Sequence, residues 1–273
     1  MTIKLDNKEV VTNEHNRYYG FDLCISLDNE AEINNLANKV KKFYTDLESL
    51  SEKLPVTGPL ETVMLENLIK HRVPEWSDNG IDNFQVVRSE FGEIIAQLTL
   101  MDYFETEFHL NRLKRKEIPM LPTRGIDFLG IEFDNEIPVL VLGEVKVSTE
   151  KRNPPGVVHN PGDDGCLEIR IPHLLSDQEK ITSELAYYLE NVSADKKELY
   201  IDIFNRLTNE ESTLVIIGNP FLLRDAEAYS IEDLGNLLEY DSNEYQKVRF
   251  VIVKIAEDIN KLSKKVYDMA RGE

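Results

Sequence analysis

The stretch that most constrains this chain is TRGIDFLG, Thr123 to Gly130, followed after a short gap by VLVLGEVKV, Val139 to Val147. It reads as two apolar strands, with Asp134-Asn135 making the turn between them and Pro138 opening the second. Three charged residues, Asp127, Glu144 and Lys146, are set into these strands, where lone charges are costly to bury. Strand alternation places Glu144 and Lys146 on one face, two residues apart. If the strands pair as a hairpin, Asp127 lies across from them. Two carboxylates and an amine on a rigid sheet suit a metal-binding hydrolytic site; the plainer reading is an ion-pair ladder on an exposed face. Gly125, Gly130 and Gly143 flank the charges, and glycine in a strand often marks close approach by a ligand or backbone.

The rest of the chain supplies a setting for such a hairpin. With 273 residues, 41% of them apolar, it has enough material for a substantial core, as one large domain or one domain with an additional lobe. Residues 1–15 read as an extended arm and Tyr18 to Leu27 as a strand. Glu30 to Leu54 carries apolar residues at helical spacing (Ile33, Leu36, Val40, Phe43, Leu47, Leu50), ended by Pro55 and Gly58-Pro59. Leu60 to Lys70 predicts a second helix. Arg88 to Phe104 predicts a third, capped by Ser89 or Asn83, with Phe91, Ile94, Ile95, Leu98 and Met101 as its apolar stripe. The proline- and glycine-rich segment from Asn153 to Gly165 reads as a long loop, either mobile or shaped by a ligand. Helices follow over Ser176 to Asn191 and Lys196 to Thr208. Strands at Ser212 to Ile217 and Arg249 to Ile255 then precede a closing helix, Ala256 to Arg271. Strands interleaved with helices indicate an α/β fold with a mixed sheet.

Charge restricts the partners. Asp and Glu total 50 against 31 Lys and Arg, a formal net charge of −19. Such a chain is repelled by nucleic acid at long range. Binding would then fall to a local basic patch, such as Lys114, Arg115 and Lys116 with Arg112 and Arg124 nearby, or to a basic partner subunit. No apolar run reaches the roughly 18 residues needed to span a bilayer, so no membrane partner is expected. The polar N-terminus argues against a secretory signal. Cys24 and Cys166 lack zinc-ligand spacing. A reduced, cytoplasmic setting is the expectation.

The chemistry open to the three charges is specific. Mg2+ (or Mn2+) takes hard oxygen ligands: Asp127 and Glu144 supply two, and the carbonyl of Val145 a third. Lys146 would orient an attacking water. Glu90 and Glu93, three residues apart on the helix before the hairpin, offer a further ligand. In this order (helix glutamate, strand Asp, then Glu-X-Lys) the chain resembles the PD-(D/E)XK nuclease superfamily over roughly Arg88 to Val147. The resemblance implies a restriction-endonuclease-like fold, a mixed sheet flanked by helices. It also implies Asp127, Glu144 and Lys146 as catalytic residues, joined by Glu93 in its Gly92-Glu93 pair or by Glu90. Ile126 stands where the family's name has proline. The loop-like segment from Arg72 to Gly80 is the expected boundary between an N-terminal α/β lobe over residues 1–80 and a nuclease core over 81–273.

A narrower resemblance is to the HamA nuclease subunits of the bacterial Hachiman anti-phage system, on Arg88-Ser89-Glu90-Phe91-Gly92-Glu93, Gly-X-Asp and Gly-Glu-X-Lys. It implies a DNA substrate and a helicase partner, HamB-like, that restrains the nuclease. The opposing expectation is a non-catalytic acidic subunit that docks a nucleic-acid-processing partner. Among other candidates, His159 and His173 read as bases or ligands, or as solvated loop residues. Asp163-Asp164 reads as a turn. Gln178 and Lys180 are within reach of a phosphate or merely begin a helix. No phosphate-binding G-x-x-x-x-G-K-[ST] pattern is present.

Overall fold

In the computed structural model, the described residues are 5–13, 15–45, 59–76, 81–116, 118, 125–209 and 213–273. Arg124 and the segment 119–124, which the sequence reading placed just before the first core strand, lie outside them. The two apolar runs form the expected hairpin: β3 (Phe128–Asp134) pairs antiparallel with β4 (Ile137–Ser148) from Phe128↔Gly143 to Asp134↔Ile137. The turn residues are Asn135 and Glu136, both at positive φ (49° and 69°). Positive φ at both central positions is the two-residue turn whose twist suits a hairpin.

The hairpin is one edge of a six-stranded mixed sheet of order β1-β2-β6-β5-β4-β3. Its centre is four parallel strands: β2 (Asn16–Leu23), β6 (Gln246–Ile255), β5 (Val215–Asp225) and β4. β1 (Leu5–Asn13) and β3 close the two edges antiparallel. The expected arm at residues 1–15 is therefore largely a strand. β5 runs well past the expected Ile217 because Asn219 and Pro220 are tolerated inside it. The ladder to β6 skips these two residues, and Arg249 Nε donates to Asn219 Oδ1 at 3.0 Å across the gap. That is where a proline without an N–H fits a central strand.

One face of the sheet is covered by α4 (Leu167–Ser176), α5 (Gln178–Asn191) and α6 (Lys197–Thr208). Their Leu167, Ile171, Leu175, Leu185, Tyr188 and Ile203 share a core with Leu129, Ile131, Leu140, Leu142, Leu222 and Ile252 of the strands. α4 lies so close to β5 that a Cβ on Gly218 would sit 3.0 Å from Leu175 and 3.1 Å from Ile171. The other face is aromatic. Tyr19 and Phe21 of β2 pack on Phe104, at ring separations of 4.8 and 6.4 Å, and Phe108 meets Phe128 at 5.8 Å.

The chain divides into two compact units. The first comprises Met1–Cys24, Ile95–Leu110 and Arg124–Ala256; the second Ile25–Ile94, Asn111–Thr123 and Glu257–Glu273. Neither matches the expected boundary at residue 80, because β1 and β2 are strands of the same sheet as the hairpin. In the second unit, α1 (Glu30–Tyr44) packs on α7 (Ile259–Arg271), and α2 (Pro59–Arg72) also meets α7. α1 ends at Tyr44, capped by the extended Thr45, short of the expected Leu54; positions 46–54 are outside the described residues. α7 is capped by Asp258, which accepts from the backbone N–H of Asn260 and Lys261, each at 2.9 Å. α3 (Ile81–Phe104) begins seven residues before the expected Arg88, so Asn83 and Ser89 are interior positions rather than caps. Among the described residues no helix is long and apolar enough to cross a membrane.

Candidate functional site

Asp127, Glu144 and Lys146 come together in the first unit. Continuing the hairpin register one residue beyond Phe128↔Gly143 sets Asp127 opposite Glu144. Residues opposed in an antiparallel pair share a face, here the helix-covered one that carries Leu140 and Leu142. Asp127 Oδ2 accepts the backbone N–H of Val145 at 2.7 Å. Lys146 Nζ donates to Glu144 Oε1 at 2.9 Å. Glu144 is 6% exposed at its side chain and Lys146 25%. The buried charge thus sits beneath an amine that still reaches solvent.

Glu144 has a second cation, which sequence reading missed. Arg170 of α4 donates from Nη2 to Glu144 Oε2 at 3.2 Å. The helix itself was not anticipated, because Pro172 lies inside it and proline disfavours helix interiors. The signal that would have found it is Leu167, Ile171, Leu174 and Leu175, an apolar face at helical spacing in which Arg170 is the outward neighbour of Ile171.

The electrostatics mark two carboxylates held close. Burial first, and then the neighbouring Glu144 charge, push Asp127 up to about 7, against the pull of the Val145 N–H, Lys146 and Arg170. A divalent cation would relieve that repulsion, and the donors are the hard oxygens Mg2+ prefers. The two carboxylates therefore fit such an ion in kind, with the Val145 carbonyl as the further oxygen that the sequence offers. Among the described residues, no group of three or more His, Cys, Asp or Glu is placed to hold a metal ion.

The helix glutamates fall in the second unit. Glu90 is 2% exposed and its carboxylate is already satisfied there. Tyr44 Oη donates to its Oε2 at 2.5 Å, and Lys116 Nζ closes an ion pair on Oε1. Tyr44 Oη and Tyr267 Oη are 2.8 Å apart in the same cluster. Glu90, expected as a metal ligand, is thus a partner within a buried ion-pair network. Glu93 is also buried, at 8% exposure. Lys116, expected in a local basic patch, is buried against Glu90.

Gly130 and Gly143 beside the charges have a packing explanation. A Cβ on Gly143 would lie 1.8 Å from Cζ of Phe128, so the aromatic ring of the opposite face occupies that space. The Asn153 to Gly165 loop is fastened rather than open. Val158 is fully buried, and His159 Nδ1 lies 2.5 Å from Glu168 Oε2. The fully buried Arg224 holds Arg152 and Asn153. Asp163 Oδ1 accepts Gly165 N–H at 2.8 Å, the turn expected of it. Gln178 Nε2 donates to the Leu207 carbonyl, a link between helices. The backbone N–H of Lys180 is capped by Asp177, whereas His173 offers its carbonyl to Ser176 and Asp177. No known family model and no curated protein matches this chain.

Proposed function

We propose that this chain is a Mg2+-dependent nuclease of the PD-(D/E)XK kind, with a restriction-endonuclease-like core, that hydrolyses phosphodiester bonds of DNA. The observation that carries this reading is the convergence of Asp127, Glu144 and Lys146 on one face of the β3–β4 hairpin, with Asp127 pinned to the Val145 N–H. In this reading Asp127 and Glu144 hold the cation, which supplies Lewis-acid stabilisation of the phosphate oxygens when bound. Lys146, held at Glu144 and partly open to solvent, orients the attacking water and offsets negative charge as it develops. The resemblance to Hachiman nuclease subunits extends the proposal to an anti-phage defence role with a helicase partner. The net charge of −19 favours such a partner as the main holder of nucleic acid.

The test is cleavage of duplex and single-stranded DNA in Mg2+ by the wild type, Glu144→Ala and Lys146→Ala, with and without the protein that co-purifies with the chain. Loss of cleavage in both variants, with unchanged denaturation curves, is expected. Undiminished cleavage by both would sink the proposal. The acidity equally favours a non-catalytic docking subunit, and calorimetric Mn2+ titration separates the two. Binding that depends on Asp127 belongs to the nuclease; its absence belongs to the docking subunit.

A further inference from the structure

Glu144 carries one cation on each oxygen, and the two cations are held differently. Lys146 is a residue of the same strand, two positions away, and its Nζ lies 2.9 Å from Oε1. Arg170 reaches across from α4 to Oε2 with a single N–H at 3.2 Å, and its side chain is 39% exposed. A one-point contact of that length forgoes the paired geometry in which a guanidinium binds a carboxylate most strongly. The remaining guanidinium N–H groups of Arg170 have no hydrogen-bond partner among the described residues. Its helix is anchored independently, through Ile171 and Leu175 against Gly218, so the guanidinium can leave Glu144 by side-chain rotation alone.

A cation that uses Glu144 must compete with these two groups for its oxygens. Arg170 is the weaker holder, and its planar donor fork suits a phosphate oxygen pair as well as a carboxylate. We propose that Arg170 is a phosphate-binding positioning residue that rests on Glu144 and moves to the phosphodiester when nucleic acid arrives, freeing Glu144 Oε2 for the metal. Metal and substrate then load cooperatively, and the coupling is reciprocal. In the absence of nucleic acid the site holds its cation weakly. This inference rests on the nuclease reading above for the identity of the metal and the phosphodiester.

The experiment is calorimetric titration of Mn2+ into the full-length wild type, R170A, R170K, E144Q and D127N, each alone and with a short phosphorothioate DNA single strand. R170A is expected to bind Mn2+ roughly fivefold or more tightly than the wild type without DNA, since its competitor is gone. R170K keeps a competing charge and stays close to the wild type. The oligonucleotide tightens Mn2+ binding in the wild type by a larger factor than in R170A, and R170A binds the oligonucleotide more weakly. Weaker or unchanged Mn2+ binding by R170A would show that Arg170 only braces Glu144, and would overturn the inference. Equal tightening by DNA in the wild type and R170A would do the same. If E144Q and D127N bind Mn2+ as the wild type does, the metal site itself is misplaced and the nuclease reading falls first.

Discussion

Arg224 and Asp233 form an ion pair closed off from water: both side chains are 0% exposed, and Nε lies 2.8 Å from Oδ2. The same guanidinium donates to Ser148 Oγ and to the carbonyls of Glu150, Arg152 and Ala228, and to Asn153 Oδ1. The chain leaving β4, just after Lys146, is thereby tied to the end of β5 and the turn beyond it. Each acceptor offsets part of the cost of burying the guanidinium charge.

Arg224→Met leaves Asp233 buried without its partner and several carbonyls without donors. Loss of about 3–5 kcal/mol is expected in urea denaturation. Arg224→Lys is expected to recover little, because an ammonium cannot reproduce a planar set of donors spread over three segments. A lysine variant as stable as the wild type would show that charge alone matters there.

The Lys116–Glu90 pair makes a second prediction, with a sign in pH. Burial pushes Glu90 above the ordinary carboxylate range, against the pull of Lys116 and Tyr44. A carboxylate raised on folding binds its proton more tightly in the native state, so its contribution to stability is lost as pH rises through the folded value. Lys116→Met removes the stabilising charge and raises Glu90 further. The variant is expected to lose about 3–5 kcal/mol at pH 8 and to regain part of it on acidification toward pH 5. Glu90→Gln with Lys116→Met removes the buried charge and is expected to recover most of the loss at pH 8. Denaturation midpoints of the single and double variants at the two pH values decide this.

The hairpin was legible because its signal is local: apolar alternation, a turn at Asn135 and charges two apart are all read within twenty or so positions. The resemblance to a nuclease rested on this stretch together with Glu93 or Glu90 on the preceding helix. What was illegible depends on distance or on context. Pro172 hid α4 and Pro220 hid half of β5, since the gap in the ladder that admits Pro220 is a property of β6 and Arg249. Glu90 sits near Glu93 in sequence and was read as a metal ligand, yet its partners Tyr44 and Lys116 are 46 and 26 residues away. Arg170 and Arg224 are not singled out by sequence, because nothing in their neighbouring residues marks the carboxylates they meet.

Gly143 is expected to be intolerant of alanine for steric rather than catalytic reasons. The new Cβ would overlap the Phe128 ring, and overpacking of this kind costs about 1–3 kcal/mol or more. The double variant Gly143→Ala with Phe128→Leu gives the methyl room and is expected to regain stability in thermal melts. If the glycine instead makes way for a ligand, the double variant regains stability but loses Mn2+ binding. Retention of Mn2+ affinity in the stable double variant is the outcome expected here.

Asp127 supplies the prediction most closely tied to function. Held at about 7 by burial and by Glu144, it keeps its proton in the metal-free protein at pH 6 and has largely lost it by pH 8. A cation that uses its oxygen must displace that proton below pH 7, so Mn2+ affinity is expected to fall by up to about tenfold for each unit of pH below 7. Binding at pH 6 should release a proton that calorimetry in buffers of different ionisation enthalpy detects. Stability runs the opposite way. The folded value lies above the unfolded one, so the metal-free protein loses stability as pH rises from about 4 to about 7. Asp127→Asn, which can still accept the Val145 N–H, abolishes that loss, and at pH 8 without metal it is expected to be more stable than the wild type. Added Mn2+ should raise the melting temperature of the wild type at pH 8 and leave Asp127→Asn unchanged.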